Sequence, residues 1–174
     1  MRSVITFFGL LILAAFATPA SPSGALQEHS YTSPKLDFAV DFPSPTWRLV
    51  DEPDEVHQHT EFVYGDRVDG YLRIRKEALE QGLTIKEFAH RDQDQRTRFL
   101  PGYVDGKEET FSGRLPGITL SYEFTERGKQ MVGRTYYLQG DANSVYVLRF
   151  TGLRDKLSRI RNQTDFISRS LRLK

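Results

Sequence analysis

Ile118-Thr119-Leu120-Ser121-Tyr122-Glu123-Phe124 alternates apolar and polar residues without a break. Ile118, Leu120, Tyr122 and Phe124 face one way, and Thr119, Ser121 and Glu123 the other. That is the period of a half-buried strand. Arg127-Gly128-Lys129 then turns the chain and residues 130–139 return. Gly140-Asp141-Ala142-Asn143 turns it again, and Val145 to Thr151 runs back. Turns this short join antiparallel neighbours. The stretch 118–151 therefore reads as a three-stranded meander, and the fold is built on an antiparallel sheet.

Working outward, Tyr103 to Phe111 adds a strand with a point of interruption at Gly106. Residues 84–99 read as a helix. Thr84 with Glu87 three residues on makes a capping box, which satisfies two free backbone amides. Glu87 with Arg91, Asp92 with Arg96 and Asp94 with Arg98 have the four-residue spacing of helix ion pairs. The apolar stripe (Ile85, Phe88, Ala89, Phe99) is thin, so the helix is expected on the surface of the sheet, stopped by Pro101-Gly102. Earlier strands are read at Leu36–Phe42, Thr60–Tyr64 and Tyr71–Lys76, with Trp47 and Leu49 leading into an acidic loop, Asp51 to Glu55. At the other end, Leu153, Leu157, Ile160, Thr164, Ile167 and Leu171 form one helical stripe. One helix is expected over Arg154–Ser168. Hairpin-linked strands covered by helices mean α+β.

Before the domain, Arg2 and the apolar run Val4 to Ala17 form a secretory signal, with cleavage after Ala17 or after Ala20. The run is shorter than the roughly 20 residues of a membrane span, so no stable span is expected in the mature form. Residues 21–34, rich in Pro, Ser and Gly, read as a flexible leader, and residues 35–174 as one domain. The chain has 24 basic and 23 acidic residues and no cysteine. The near-neutral balance argues against a nucleic-acid partner. The missing cysteine excludes disulfides, thiol catalysis and thiolate metal sites, so an exported domain must be held by its core alone.

Leu36 to Phe42 (LDFAVDF), Pro43 and Trp47 resemble the opening of PsbP-like, Mog1-like and DcrB-type domains. Gly117-Ile118 followed by Leu120 to Phe124 resembles their middle. Tyr146 to Phe150, a helix and Ser170-Leu171-Arg172 resemble their end, with Leu171 in place of the usual Phe. The resemblance covers about residues 34–174. It implies an α/β/α sandwich around a mainly antiparallel sheet of about six strands. It also implies exported accessory or adaptor proteins without a shared catalytic site.

Four groups of residues are candidates for chemistry. His57 and His59 would share one face of a strand near Asp54, Glu55 and Glu61, the makings of a metal site; the simpler reading is a solvated strand entry. His90 and Asp94 share a helix face, as a general base and its carboxylate would. No nucleophile motif accompanies them, and a surface pair is the simpler reading. Arg73, Arg75, Arg134 and Arg149 lie on strands. They make either a cationic patch for an anionic ligand or cross-strand pairs with Glu61, Glu77 and Glu123. Trp47 is a structural plug or an interface anchor. The basic helix face around Arg154, Lys156, Arg159, Arg161 and Arg169 is interrupted by Asp155 and Asp165 and reads as solvated.

The expectation is an exported, periplasmic or extracellular, non-catalytic accessory protein, without a cofactor, that docks onto an envelope protein or complex. The alternative is a periplasmic carrier of a small ligand or metal.

Overall fold

A computed structural model describes residues 29–174. The signal segment and the leader as far as residue 28 lie outside the described residues. The meander is present: β7 (Gly117–Glu126), β8 (Lys129–Asp141) and β9 (Ser144–Leu153) pair antiparallel in that order. Arg127 and Gly128 make the first turn, both with positive φ, 49° and 75°. That is the signature of a tight turn whose twist matches the flanking strands. β6 (Val104–Phe111) lies outside β7 and shifts register between Asp105 and Glu108, around Gly106. A Cβ at Gly106 would meet the Ser121 carbonyl oxygen at 2.7 Å, so only glycine lets the bulge pack there.

β3 (Trp47–Asp51), β4 (His59–Tyr64) and β5 (Asp66–Ala78) complete a seven-stranded sheet in the order β3-β4-β5-β9-β8-β7-β6. β3 replaces the approach to a loop expected from the sequence. A second sheet of three strands, β1-β2-β10, consists of His29–Thr32, Phe38–Phe42 and Arg172–Leu173. β1 falls within the stretch read as flexible leader; its four residues pair with β2, and Tyr31 packs edge-on against Phe62 at 5.0 Å. The alternating segment in β2 is not half-buried: all five of its residues are buried. The strand is flanked on both edges, and Arg172 covers Asp41 at 2.8 Å.

The helices divide the sheet between two faces. On one, α2 (Arg154–Arg159) and α3 (Arg161–Ser170), together with the small sheet, enclose the main core. Leu72, Ile74, Tyr136, Leu138, Leu148, Phe150, Ile160 and Ile167 meet there. The single helix expected over this region is two, broken at Ile160 (φ −102°, ψ 15°). The break keeps the stripe on the sheet, since Leu157, Ile160, Thr164, Ile167 and Leu171 are all buried. On the other face lies α1 (Ile85–Arg96), with the Thr84–Glu87 capping box in place. It lies over β7 and β8 and reaches β9, burying Phe88 and Ala89 against Leu120, Tyr137, Val145 and Val147. The helix ends before Phe99, which is exposed. Beyond α1, the part of this face around Tyr71 and Arg73 on β5 and Thr151 on β9 is left open among the described residues.

Candidate functional site

Strand register sorts the arginines. Arg73 on β5 is opposite Glu61 on β4 and opposite Arg149 on β9. Arg75 lies two residues further along β5, so it shares the α1 face with both. Arg134 does not. It is opposite Phe150, the neighbour of Arg149, so it points to the main-core face. There it binds the Tyr136 hydroxyl at 2.7 Å, Glu109 at 3.2 Å and Asp165 at 3.3 Å.

Two carboxylates organise the α1 face. Asp92, buried on α1, accepts from Arg149 Nη2 at 2.9 Å, Arg96 Nε at 2.9 Å, Tyr137 Oη at 3.0 Å and, closest, Arg75 Nη2. Arg75 also gives Nε to Glu77 at 2.6 Å, which spends its fork. Glu61 accepts from Arg73 Nη2 at 2.9 Å and Arg67 Nη2 at 3.0 Å, with His59 Nε2 at 3.0 Å. Burial pushes the Glu61 carboxyl up. The Tyr71 hydroxyl and the Arg73 and Arg67 guanidinium groups outweigh it and hold the group below the ordinary carboxylate value. Burial, reinforced by Asp92, pushes the Tyr137 phenol up, and burial with Glu61 does the same to Tyr71.

Beside this network is an open cleft of about 540 Å³ between the end of α1, β5, β9 and the β7–β8 hairpin. Tyr71, Tyr122, Phe124, Met131 and Leu100 supply its apolar wall. Its charged lining is one-sided: Arg67, Arg73, Arg96, Arg127, Lys129 and Arg149 against Glu126 alone. A cavity of about 580 Å³ beside β2, lined by Arg75 and His59, is different. Its charges are matched there, Lys76 to Asp37 at 2.5 Å and Arg75 to Glu77.

The remaining candidates are dispersed. His57 and His59 lie 5.7 Å apart, ring to ring, but turn to different acids, His57 to Asp54 and His59 to Glu61. Among the described residues no group of three or more His, Asp or Glu is placed to hold a metal ion. His90 is 2.9 Å from Glu108, and Asp94 pairs with Arg98 at 3.1 Å, so those two do not work together. Trp47 is a core residue, and its Nε1 donates to Gln163 at 3.0 Å. Arg154 pairs with Glu123 and Arg161 with Glu109, so the basic helix face is largely neutralised.

Trp47 also starts the outer strand β3. Leu49 and Val50 on that strand are exposed, as is Val56 just beyond it. The sequence reading paired Asp92 with Arg96 and placed Arg127 and Lys129 in a turn, but it did not identify Asp92 as a hub or Arg67, Arg96, Arg127 and Lys129 as the lining of a cleft. One signal for Arg127 was legible: an arginine in a two-residue turn that favours Asn or Gly.

No family model matches the sequence, and no curated protein matches it. Solved structures do. LpqN of Mycobacterium tuberculosis, described as involved in cell envelope biogenesis, is similar with a TM-score of 0.57 and 17% identity, over 85% of this chain and 91% of that one. Cyanobacterial PsbP (CyanoP) from Synechocystis is similar with a TM-score of 0.57 and 12% identity, over 90% of this chain and 98% of that one. A protein of Bacteroides thetaiotaomicron gives 0.59 and 15% identity over 85% of this chain; the match spans about half, 49%, of that longer chain. At these identities the likeness shows the fold, which is PsbP-like.

Proposed function

We propose that this is an exported, non-catalytic accessory protein that docks onto an envelope protein or complex. The observation that carries the reading is the outer strand β3. Among the described residues its outer edge has no pairing strand, beside exposed Leu49 and Val50. Such an edge invites an added strand from a partner. The opposite edge, β6, is guarded by Asp105, Lys107, Glu108 and Glu109 and by its bulge. Two further facts support the reading. The signal segment argues for export. The fold is shared, nearly end to end, with a protein involved in envelope biogenesis and with a PsbP. Sequence motifs similar to Mog1-like and DcrB-type domains point the same way.

The test is photo-crosslinking from position 50 in cells that export the protein. A discrete crosslinked partner, lost when Leu49 is replaced by Lys, is the expected result. No crosslink from position 50, with a non-covalent ligand or metal retained in native mass spectra, would replace docking with the carrier reading.

A further inference from the structure

We propose that the cleft between α1 and the β7–β8 hairpin binds a phosphate monoester, a small dianionic group, through Arg149, Arg127 and Lys129. The site shares no residue with β3 and goes beyond the docking reading. Three observations carry it.

The first is charge. Six cationic side chains line the cleft against one lining carboxylate. Glu61, Asp92 and Glu77 behind the wall, which pair with Arg67, Arg73, Arg96 and Arg149, offset only part of that excess. A single carboxylate would leave cations unmatched, whereas a dianion with three acceptor oxygens suits several guanidinium donors at once.

The second is an orphaned donor. Arg149 gives one Nη to Asp92, but its Nε is buried and has no acceptor among the described residues. A buried N–H of a charged group left unpaired is costly and calls for a partner.

The third is Arg127. Its backbone sits at φ 49°, a conformation disfavoured for a long side chain, directly before Gly128. Asn would suit the turn better. The arginine at this place puts a full guanidinium at the cleft, and neither it nor Lys129 has a salt-bridge partner among the described residues. Backbone strain of this kind collects at functional positions. The cleft volume, about 540 Å³, falls in the range of small-ligand sites. Tyr71 on its wall suits an ester with a flat body.

The ester would be either a free phosphorylated compound or the headgroup of an anionic lipid. Calorimetric titration of the protein from an exporting host with phenyl phosphate tests the shared chemistry. Expected is saturable binding that weakens with added salt, no binding of phenol, and affinity at least tenfold lower in both Arg127→Asn and Lys129→Gln. Neither substitution touches the core, so each variant should fold. Vesicles containing phosphatidic acid that displace phenyl phosphate would assign the headgroup as source, and failure to displace it would assign the free ester. Either result supports the site. Absence of phenyl phosphate binding, equal binding of phenol, or unchanged affinity in both variants would overturn it, whatever crosslinking from position 50 shows.

Discussion

Asp92 balances three guanidinium groups and a phenol with one carboxylate. Removing its charge leaves Arg75, Arg96 and Arg149 facing each other, with Glu77 still paired to Arg75 and Arg96. Breaking a buried ion pair from one side costs about 3–5 kcal/mol, so Asp92→Asn should lose roughly that much in urea unfolding. A loss below about 1 kcal/mol would mean that solvent already screens the hub. Glu61 gives a pH signature. Its folded-state value lies below the ordinary 4.5, so its contribution is complete above that pH and fades as pH falls through the lower, folded value. The stability gap between the protein and Glu61→Gln should thus be widest at neutral pH and should close in acid. A gap that stays constant from pH 7 to pH 3 would remove Glu61 from the ledger. The sequence placed Asp92 in a helix pair with Arg96, and that pair is there at 2.9 Å. Its burial was not legible, because spacing along a helix does not say which side a sheet will cover. Likewise four arginines on strands could be read, but sorting them into faces needed the register of β8 against β9.

Local pattern decided the elements that read correctly. β7 shows clean alternation, and α1 shows its capping box. β3 was missed because Trp47-Arg48-Leu49-Val50 follows a Pro-Ser-Pro corner and has no clean period of two; it is held by pairing with β4. β1 was missed because four residues, His29 to Thr32, carry too little pattern; its one partly buried side chain is Tyr31, held by Phe62 and Glu52. The last helix was read as continuous because a stripe of spacings reveals a face, not a break; Ile160 stays on the stripe while the backbone leaves the helix. The β7–β8 turn yields a prediction of its own. Arg127→Asn relieves the left-handed backbone and should stabilise the fold by about 1 kcal/mol, seen as a higher urea midpoint. A variant less stable than the parent would show that Arg127 has a structural role in the hairpin.

At the scale of the molecule, the two faces of the sheet are unequal. The small sheet, α2 and α3 close a large core, whereas α1 rests on a smaller one, with Phe88 and Ala89 as its buried apolar residues. Little apolar burial and exposed backbone mean low local stability. Amide exchange in α1 should therefore be faster than in β8 and β9, and α1 should open without global unfolding. Equal protection in α1 and the central strands would show that the Asp92 network alone locks the helix. Fold class was legible because hairpins and helical stripes leave marks in sequence; the division into two cores was not, since it depends on which face each element lands on. Trp47, the only tryptophan, belongs to the large core, packed on Phe42, Tyr64 and Phe150. Intrinsic fluorescence therefore watches one side of the sheet. Its emission would redden when the large core opens, but detachment of α1 would leave the spectrum nearly unchanged, and a melt followed by this signal alone would pass over the more labile half of the protein.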